Sequence, residues 1–181
     1  MSRPSPLVHL LVLVRDICQL RRGPEEMPYS NALFGLLVAS SIALDLLCDR
    51  ILDGSPNILA RSLVSMGLIL ALCWIALSIR HLGNRYVQTA STLIACDIVF
   101  TLLILPLAWL FARAPAQAKG LTPPQTLLAW AMLAVIVWNL VVNAHIVRRA
   151  LDAPFALGFA LALAWALANW ALTHALFDAA V

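Results

Sequence analysis

Five apolar stretches of at least 20 residues each constrain the fold of this chain more than any other feature. They cover residues 30–49, 57–80, 86–112, 124–147 and 153–177. A helix rises 1.5 Å per residue, so 20 residues reach about 30 Å, the thickness of the hydrocarbon core of a bilayer. Inside that core every backbone amide must find its partner within the chain, and α-helices achieve this. The sequence therefore predicts an all-α, polytopic transmembrane helix bundle with five spans.

The composition points to the same class of protein. Hydrophobic residues make up 62% of the 181 positions and charged residues only 12%, whereas a soluble domain carries about 25% charge. A soluble domain of this size has too little interior to hide so much apolar surface. The net charge is +3, and the basic residues are scattered at the ends of the apolar stretches. Nucleic acid requires a dense basic face, so the predicted partner is the lipid bilayer and not a nucleic acid.

The chain divides into a cytoplasmic amphipathic segment with a linker, residues 1–29, and a transmembrane domain, residues 30–181. Within the first part, the stretch 7–22 is too short and too charged to span a membrane. On a helix, most of its charged residues share one side and most of its leucines, valines and isoleucine the other. We expect a helix that lies along the membrane surface, or that packs on the cytoplasmic ends of the spans, and that ends at Gly23 and Pro24.

Local signals mark where several of the spans begin. Ser30 and Thr122 each precede an apolar stretch and are predicted to cap the first and fourth spans, since a hydroxyl can accept from the free N–H groups of a first turn. A turn is predicted at 53–56 and a polar loop at 113–121. Pro106 lies inside the third stretch and predicts a kink.

The distribution of basic residues predicts the orientation of the bundle. With the N-terminus in the cytoplasm, eight of them fall on the cytoplasmic side: Arg3, Arg15, Arg21, Arg22, Arg80, Arg85, Arg148 and Arg149. Four fall outside: Arg50, Arg61, Arg113 and Lys119. This excess agrees with the positive-inside rule and places the tail 178–181 outside. The alanine-rich spans and short polar parts favour a bacterial inner membrane.

One carboxylate and two amides lie deep in the predicted spans. Asp97 is 11 residues into the third span, about 16 Å from its start and near the membrane midplane. An ionised carboxylate there is costly, so we expect it to be protonated or paired and to face other helices. Asn139 and Asn143 share one face of the fourth span, and Asn139 lies at a similar depth. Two readings stay open for Asp97: a proton or cation site, or a structural hydrogen bond to the fourth span.

A second pair of polar residues is expected to be structural. Asp45 lies four residues from the outer end of the first span, and Arg61 lies four residues from the outer end of the second. Their depths match and a short loop joins the two helices. The sequence therefore predicts an ion pair between them.

Small residues recur along two faces of the fifth span. One face carries Ala156, Ala160, Ala164 and Ala168, and another carries Gly158, Ala162 and Ala166. Small side chains let membrane helices approach closely. We expect the first face to be a helix-packing face, which makes this span either central in the bundle or a contact site for a second protein.

Catalytic and metal-binding patterns are not found in the sequence. The four cysteines form no C-x-x-C pair, and the four histidines have no H-E-x-x-H or similar spacing. No phosphate-binding loop, nucleophile elbow or pair of catalytic carboxylates is present. The sequence predicts neither an enzyme nor a cofactor, and no disulfide.

The layout resembles that of the Yip-type membrane proteins, which have a cytoplasmic N-terminal segment, five closely spaced spans and a C-terminus on the far side. The linker 21–30, RRGPEEMPYS, also resembles the lead-in of small bacterial inner-membrane proteins without an assigned activity. The resemblance covers residues 7–177 and implies the five-span fold. The eukaryotic family is implicated in membrane trafficking, but no functional residue can be carried over to this chain.

Three hypotheses for function follow. The first is a non-catalytic membrane protein that acts through helix–helix contacts, as a scaffold, an assembly factor or an accessory subunit, with other membrane proteins or copies of itself as partners. The second is a small transporter or channel subunit in which Asp97 is the proton or cation site and Asn139 and Asn143 line the path. The third, a lipid-modifying enzyme, lacks a nucleophile and metal ligands in the sequence.

Overall fold

The computed structural model describes residues 6–52, 57–114 and 122–178. In this part of the chain the structure is all α, with six α-helices. They are α1 (Pro6–Cys18), α2 (Asn31–Ile51), α3 (Ile58–Ile79), α4 (Tyr86–Arg113), α5 (Pro123–Ala150) and α6 (Phe155–Thr173). Short 3₁₀ turns at Pro24–Glu26 and Gly83–Arg85 precede α2 and α4, and a π-helical turn, His174–Asp178, extends α6.

Five of these helices, α2 to α6, are long and apolar enough to cross a membrane. The predicted spans agree with them to within three residues at every end except the last, where α6 passes into the π-helical turn. The protein is a multi-pass membrane protein whose five spans follow one short N-terminal helix. The predicted turn 53–56, Arg3, Lys119 and the tail beyond residue 178 lie outside the described residues.

The spans pack as a closed ring in the order α2, α3, α6, α5 and α4, and α4 also contacts α3 and α1. The most buried span is α4, with a continuous buried run from Thr89 to Cys96. Of the two alternatives for the fifth span, a central position and a contact site for a second protein, the structure favours the second, because α6 packs on α5 and α3 and leaves most of its surface exposed. Its small residues allow close contact on one side only.

The bundle has two ends, a near end and a far end. The near end holds the start of α2, the end of α3, the start of α4 and the junction of α5 with α6. The far end holds the end of α2, the start of α3 and the junction of α4 with α5. Phe34 in α2 stacks edge-on against Tyr86 in α4 with 6.3 Å between ring centroids. The near ends of these two helices therefore lie at the same level.

The N-terminal helix α1 packs against α4 and α5. Leu13, Val14 and Ile17 are buried in this contact, while Leu7 and Leu11 are about 70% exposed. Of the two predictions for this helix, the structure therefore shows packing against the spans. The helix has apolar residues on both its buried and its exposed side.

The C-terminal end of α1 lies deeper along the bundle than the near end. The indole Nε1 of Trp138 donates to the backbone oxygen of Cys18 at 3.0 Å, and the Cys18 thiol contacts that of Cys96. Cys96 and Trp138 are ten and twelve residues from the near ends of their helices, about 15 and 18 Å along the axes. The chain then returns to the near end between Gln19 and Pro24.

Two predicted helix caps are present in the structure, and one predicted helix end is not. Ser30 accepts from the amide of Leu33 at 3.2 Å, and Thr122 forms a reciprocal capping box with Gln125, so both predicted caps are confirmed. The predicted end of α1 at Gly23 and Pro24 is wrong. The helix ends at Cys18 because Leu20 takes a left-handed conformation, φ 61°, and the amide of the next residue bonds back to the Asp16 carbonyl.

Polar contacts join the elements at the near end. Gln88 in α4 donates to the Met27 carbonyl at 2.7 Å, and Arg149 in α5 pairs with Glu25 at 2.8 Å. Beside these contacts, Arg85 pairs with Asp152 at 2.8 Å. The segment 24–27 is thereby connected to both α4 and α5.

Candidate intramembrane binding site

A cavity of about 390 Å³ lies inside the bundle, between α3, α4, α5 and α6. Fourteen residues line this central cavity, and only four of them are polar: Asp97, Asn139, Asn143 and Asn169. The others are apolar, including Met66, Ile69 and Trp165. All the polar residues predicted from the deep spans thus meet in one cavity, together with one that was not predicted.

Asp97 and Asn139 face each other across the contact between α4 and α5. Each is eleven residues from the near end of its helix, which puts both at a depth of about 16 Å. The Asn139 side chain donates a hydrogen bond to the Asp97 carboxylate. The structure therefore contains the hydrogen bond between the third and fourth spans that depth counting predicts.

The amides form a short directed chain that ends on the carboxylate. The Nδ2 group of Asn143 donates to Oδ1 of Asn139 at 3.0 Å, and Asn139 in turn donates to Asp97. One N–H of each amide is used within the cavity wall. Oδ1 of Asn143 is buried and has no hydrogen-bond partner among the described residues.

Asn169 is the functional candidate that sequence reasoning missed. It lies fourteen residues into α6, about 21 Å from the near end and one turn farther than Asp97. Its Oδ1 is also buried without a partner in the described part of the chain. The available signal was an amide in an otherwise apolar span, at a depth within a few ångströms of Asp97.

The charge of Asp97 has no basic neighbour in the cavity wall. The described residues that line the central cavity include no Lys, Arg or His. A carboxylate deep in a membrane protein is normally paired with a cation or kept neutral by a proton. The wall supplies one amide donor from Asn139 instead, so the site is able to accept a proton or a cation.

A second cavity, of about 510 Å³, lies toward the far end between α2, α3 and α6. Asp45, Arg61 and Ser62 line this far cavity, and the Ser62 hydroxyl donates to the Asp45 carboxylate. The structure thus brings Asp45 and Arg61 to one wall, as their depths predict, while the ion pair between them stays a prediction. Because Ala166 and Asn169 line both cavities, the two adjoin.

The two small-residue faces of α6 have different surroundings. Gly158 and Ala162 are buried, and Gly158 lies directly against α5. The predicted packing face, Ala156, Ala160, Ala164 and Ala168, is exposed along its whole length. Within one chain that face is open to lipid or to a second protein.

No metal-binding cluster is found among the described residues. The described residues contain no group of three or more His, Cys, Asp or Glu side chains close enough to hold a metal ion. All four cysteines are free thiols. His145 uses its Nε2 to contact the Arg22 carbonyl at 3.0 Å, and its Nδ1 contacts Arg148 at 3.3 Å.

In comparisons with protein families, curated proteins and solved structures, nothing matches this chain. The proposed function therefore rests on the chemistry of the central cavity.

Proposed function

We propose that the protein is a small transporter or channel subunit that binds a proton or a cation at Asp97 in the middle of the membrane. The observation that carries the proposal is the Asp97 carboxylate at the wall of the central cavity, with amide partners and no basic residue. Intramembrane carboxylates that face a cavity in a bundle are typical of ion and proton pathways.

The connection to the far cavity supports a route to the site. The far cavity presents two carboxylates and two hydroxyls, Asp45, Asp49, Ser62 and Ser65, together with one basic residue, Arg61, and adjoins the central one at Asn169. Carboxylates and hydroxyls along such a route attract cations and replace part of their hydration shell. The opposite side is filled by buried core side chains, among them Cys73 and Leu77 in α3 and Val147 in α5.

The distribution of arginines supports a direction. The near end carries most of the arginines, including Arg80, Arg85, Arg148 and Arg149, so we place it in the cytoplasm of a bacterial inner membrane. The far cavity then opens toward the outside. A reporter enzyme that is active only outside the cytoplasm, fused after residue 181, should be active; activity of only a cytoplasmic reporter would reverse the assignment.

Flux measurements on liposomes test the proposal. Liposomes with the purified protein should show proton or sodium flux above that of empty liposomes, and Asp97→Asn should reduce it at least tenfold while the protein elutes normally in size-exclusion chromatography. Asp152→Asn is the control, because Asp152 lies at the near end in an exposed ion pair with Arg85. Wild-type liposomes without flux, or full flux in Asp97→Asn, would overturn the proposal.

A scaffold or accessory-subunit function is the second proposal. The exposed face Ala156, Ala160, Ala164 and Ala168 favours it, because small residues allow close packing of a partner helix. Replacing Ala160 and Ala164 together by leucine should then abolish the capture of partner spans or of a second copy in mild detergent. Ala39→Leu in α2, at an exposed position that lines neither cavity, is the control and should have no effect. Purification of the wild-type chain only as a monomer would count against this function.

A further inference from the structure

We infer that the central cavity binds an organic primary ammonium ion that carries an apolar body. This inference rests on the proposed function, because the ammonium group would occupy the same carboxylate, Asp97. It adds the chemical class of the ligand, which the position of a carboxylate alone does not define.

The volume of the cavity is the first reason. About 390 Å³ is roughly a dozen times the 30 Å³ share of one water molecule in the liquid. It falls in the range of about 300–1,000 Å³ that is typical of pockets for small organic ligands. A bare cation at Asp97 would leave most of this space to be filled by water.

The lining of the cavity is the second reason. Ten of the fourteen lining residues are apolar, among them Ile69, Leu93, Ile136 and Trp165. Water in the remaining space would find few hydrogen-bond partners on these side chains, whereas a hydrocarbon or aromatic body would gain contact with them. Ala162 and Ala166 keep the α6 wall open, where larger side chains would fill it.

The set of unused acceptors is the third reason. One N–H of Asn143 and one of Asn139 are used within the wall, while Oδ1 of Asn143 and Oδ1 of Asn169 are buried without partners among the described residues. Asn169 lies about one helical turn farther from the near end than Asp97, so its Oδ1 and the two carboxylate oxygens of Asp97 offer three acceptor atoms at neighbouring depths. A primary ammonium carries three N–H donors and one positive charge. An anion, in contrast, would face the Asp97 carboxylate in a wall whose described residues include no Lys, Arg or His.

Equilibrium binding of tritiated 2-phenylethylamine to the full-length protein in lipid nanodiscs at pH 7 tests the inference. We expect saturable binding that unlabelled 2-phenylethylamine displaces. The neutral 2-phenylethanol, which has the same apolar body, should compete at least tenfold more weakly, because the charge-assisted hydrogen bonds are lost. The trimethylammonium derivative, which keeps the charge but has no N–H donor, should also compete more weakly. These competitions need no variant protein.

Variants then assign the binding to the cavity. Asp97→Asn should weaken binding at least tenfold, and Asn169→Leu, which removes an acceptor with little change in shape, should weaken it several-fold. Asp152→Asn should bind like the wild type. Saturable binding that is unchanged in Asp97→Asn, or equal competition by the alcohol, would overturn the inference.

The two proposals fail in different ways. Proton or sodium flux that depends on Asp97, without binding of 2-phenylethylamine to the wild type, would overturn the ligand class and support the cation site. Amine binding that depends on Asp97, without flux of any of these cations, would support the ligand class and overturn transport of inorganic cations. Absence of both would overturn both.

Discussion

Gly158 in α6 lies against the backbone of α5 so closely that a β-carbon built on it would come within 2.5 Å of the Ala144 carbonyl oxygen. The same β-carbon would lie 2.7 Å from Cβ of Arg148. Both neighbours belong to the helix wall itself and not to the end of a flexible side chain. Glycine is therefore required at this position by the distance between the two helices.

Gly158→Ala should destabilise the protein. Alanine gains about 1 kcal/mol of helix propensity, but separating two packed helices costs about 1–3 kcal/mol, so the net effect should lower the temperature of unfolding in detergent. Gly67→Ala in α3 is the matched control, because a β-carbon there meets nothing within 4 Å. Gly67→Ala should be neutral or stabilising. Equal effects of the two substitutions would contradict the close contact.

His81→Gly should stabilise the protein. His81 ends α3 in a left-handed conformation, φ 58°, and the amide of Leu82 bonds back to the Leu77 carbonyl at 2.8 Å. This helix end favours glycine, because other residues cost about 1 kcal/mol in that region. His81→Ala keeps the strain and should not stabilise, which separates backbone strain from loss of the imidazole. The measurement is thermal or denaturant unfolding in one detergent.

Asp16 should make the docking of α1 sensitive to acid. The hydrogen bond from Arg15, together with the charges of Arg15, Arg22 and Arg21, holds the pKa of Asp16 below its ordinary value of 3.8. The stabilisation is therefore fully present above that ordinary value and is lost as the pH falls through the lowered pKa. Asp16→Asn should lower the unfolding temperature at pH 7, and the difference from the wild type should shrink below about pH 4. A difference that is the same at every pH would contradict this.

Cys18 and Cys96 should be cross-linked by a mild oxidant. Their thiols are in contact between the end of α1 and the buried side of α4. In a protein with Cys48→Ser and Cys73→Ser, copper phenanthroline should produce an intramolecular disulfide, seen as protection of both thiols from a polyethylene-glycol maleimide after denaturation. A protein that keeps both thiols available after oxidation would contradict the placement of α1. The Cys48–Cys73 pair, with Cys18 and Cys96 changed to serine, serves as the control and should not cross-link.

Local rules and counting along helices were sufficient for much of the fold and for part of the site. Ser30 and Thr122 cap their helices through contacts three residues away, so a short stretch of sequence contains the whole interaction. The contact of Asp97 with Asn139 follows from equal depths on adjacent antiparallel helices. Such inferences do not require the order in which the five spans are arranged around the bundle.

Other features depend on contacts that are distant in the sequence. The end of α1 at Cys18 was mispredicted because it depends on a left-handed conformation of Leu20, which leucine rarely adopts, and tertiary packing of α1 on α4 and α5 holds Leu20 there. The approach of Cys18 to Trp138 spans 120 positions. Asn169 joins the cavity only because α6 packs beside α3 and α5, and that neighbourhood cannot be read from one span.

The contacts at the near end have a mechanical consequence. There, short connections join α3 to α4 and α5 to α6, Arg80 bonds to the Leu151 carbonyl at 3.2 Å, and Arg85 holds Asp152. These contacts restrict the relative motion of the helices at the near end more than elsewhere. A change in the width of either cavity should therefore come from pivoting about the arginine-rich end, with the largest displacements where α2 meets α3 and where α4 meets α5.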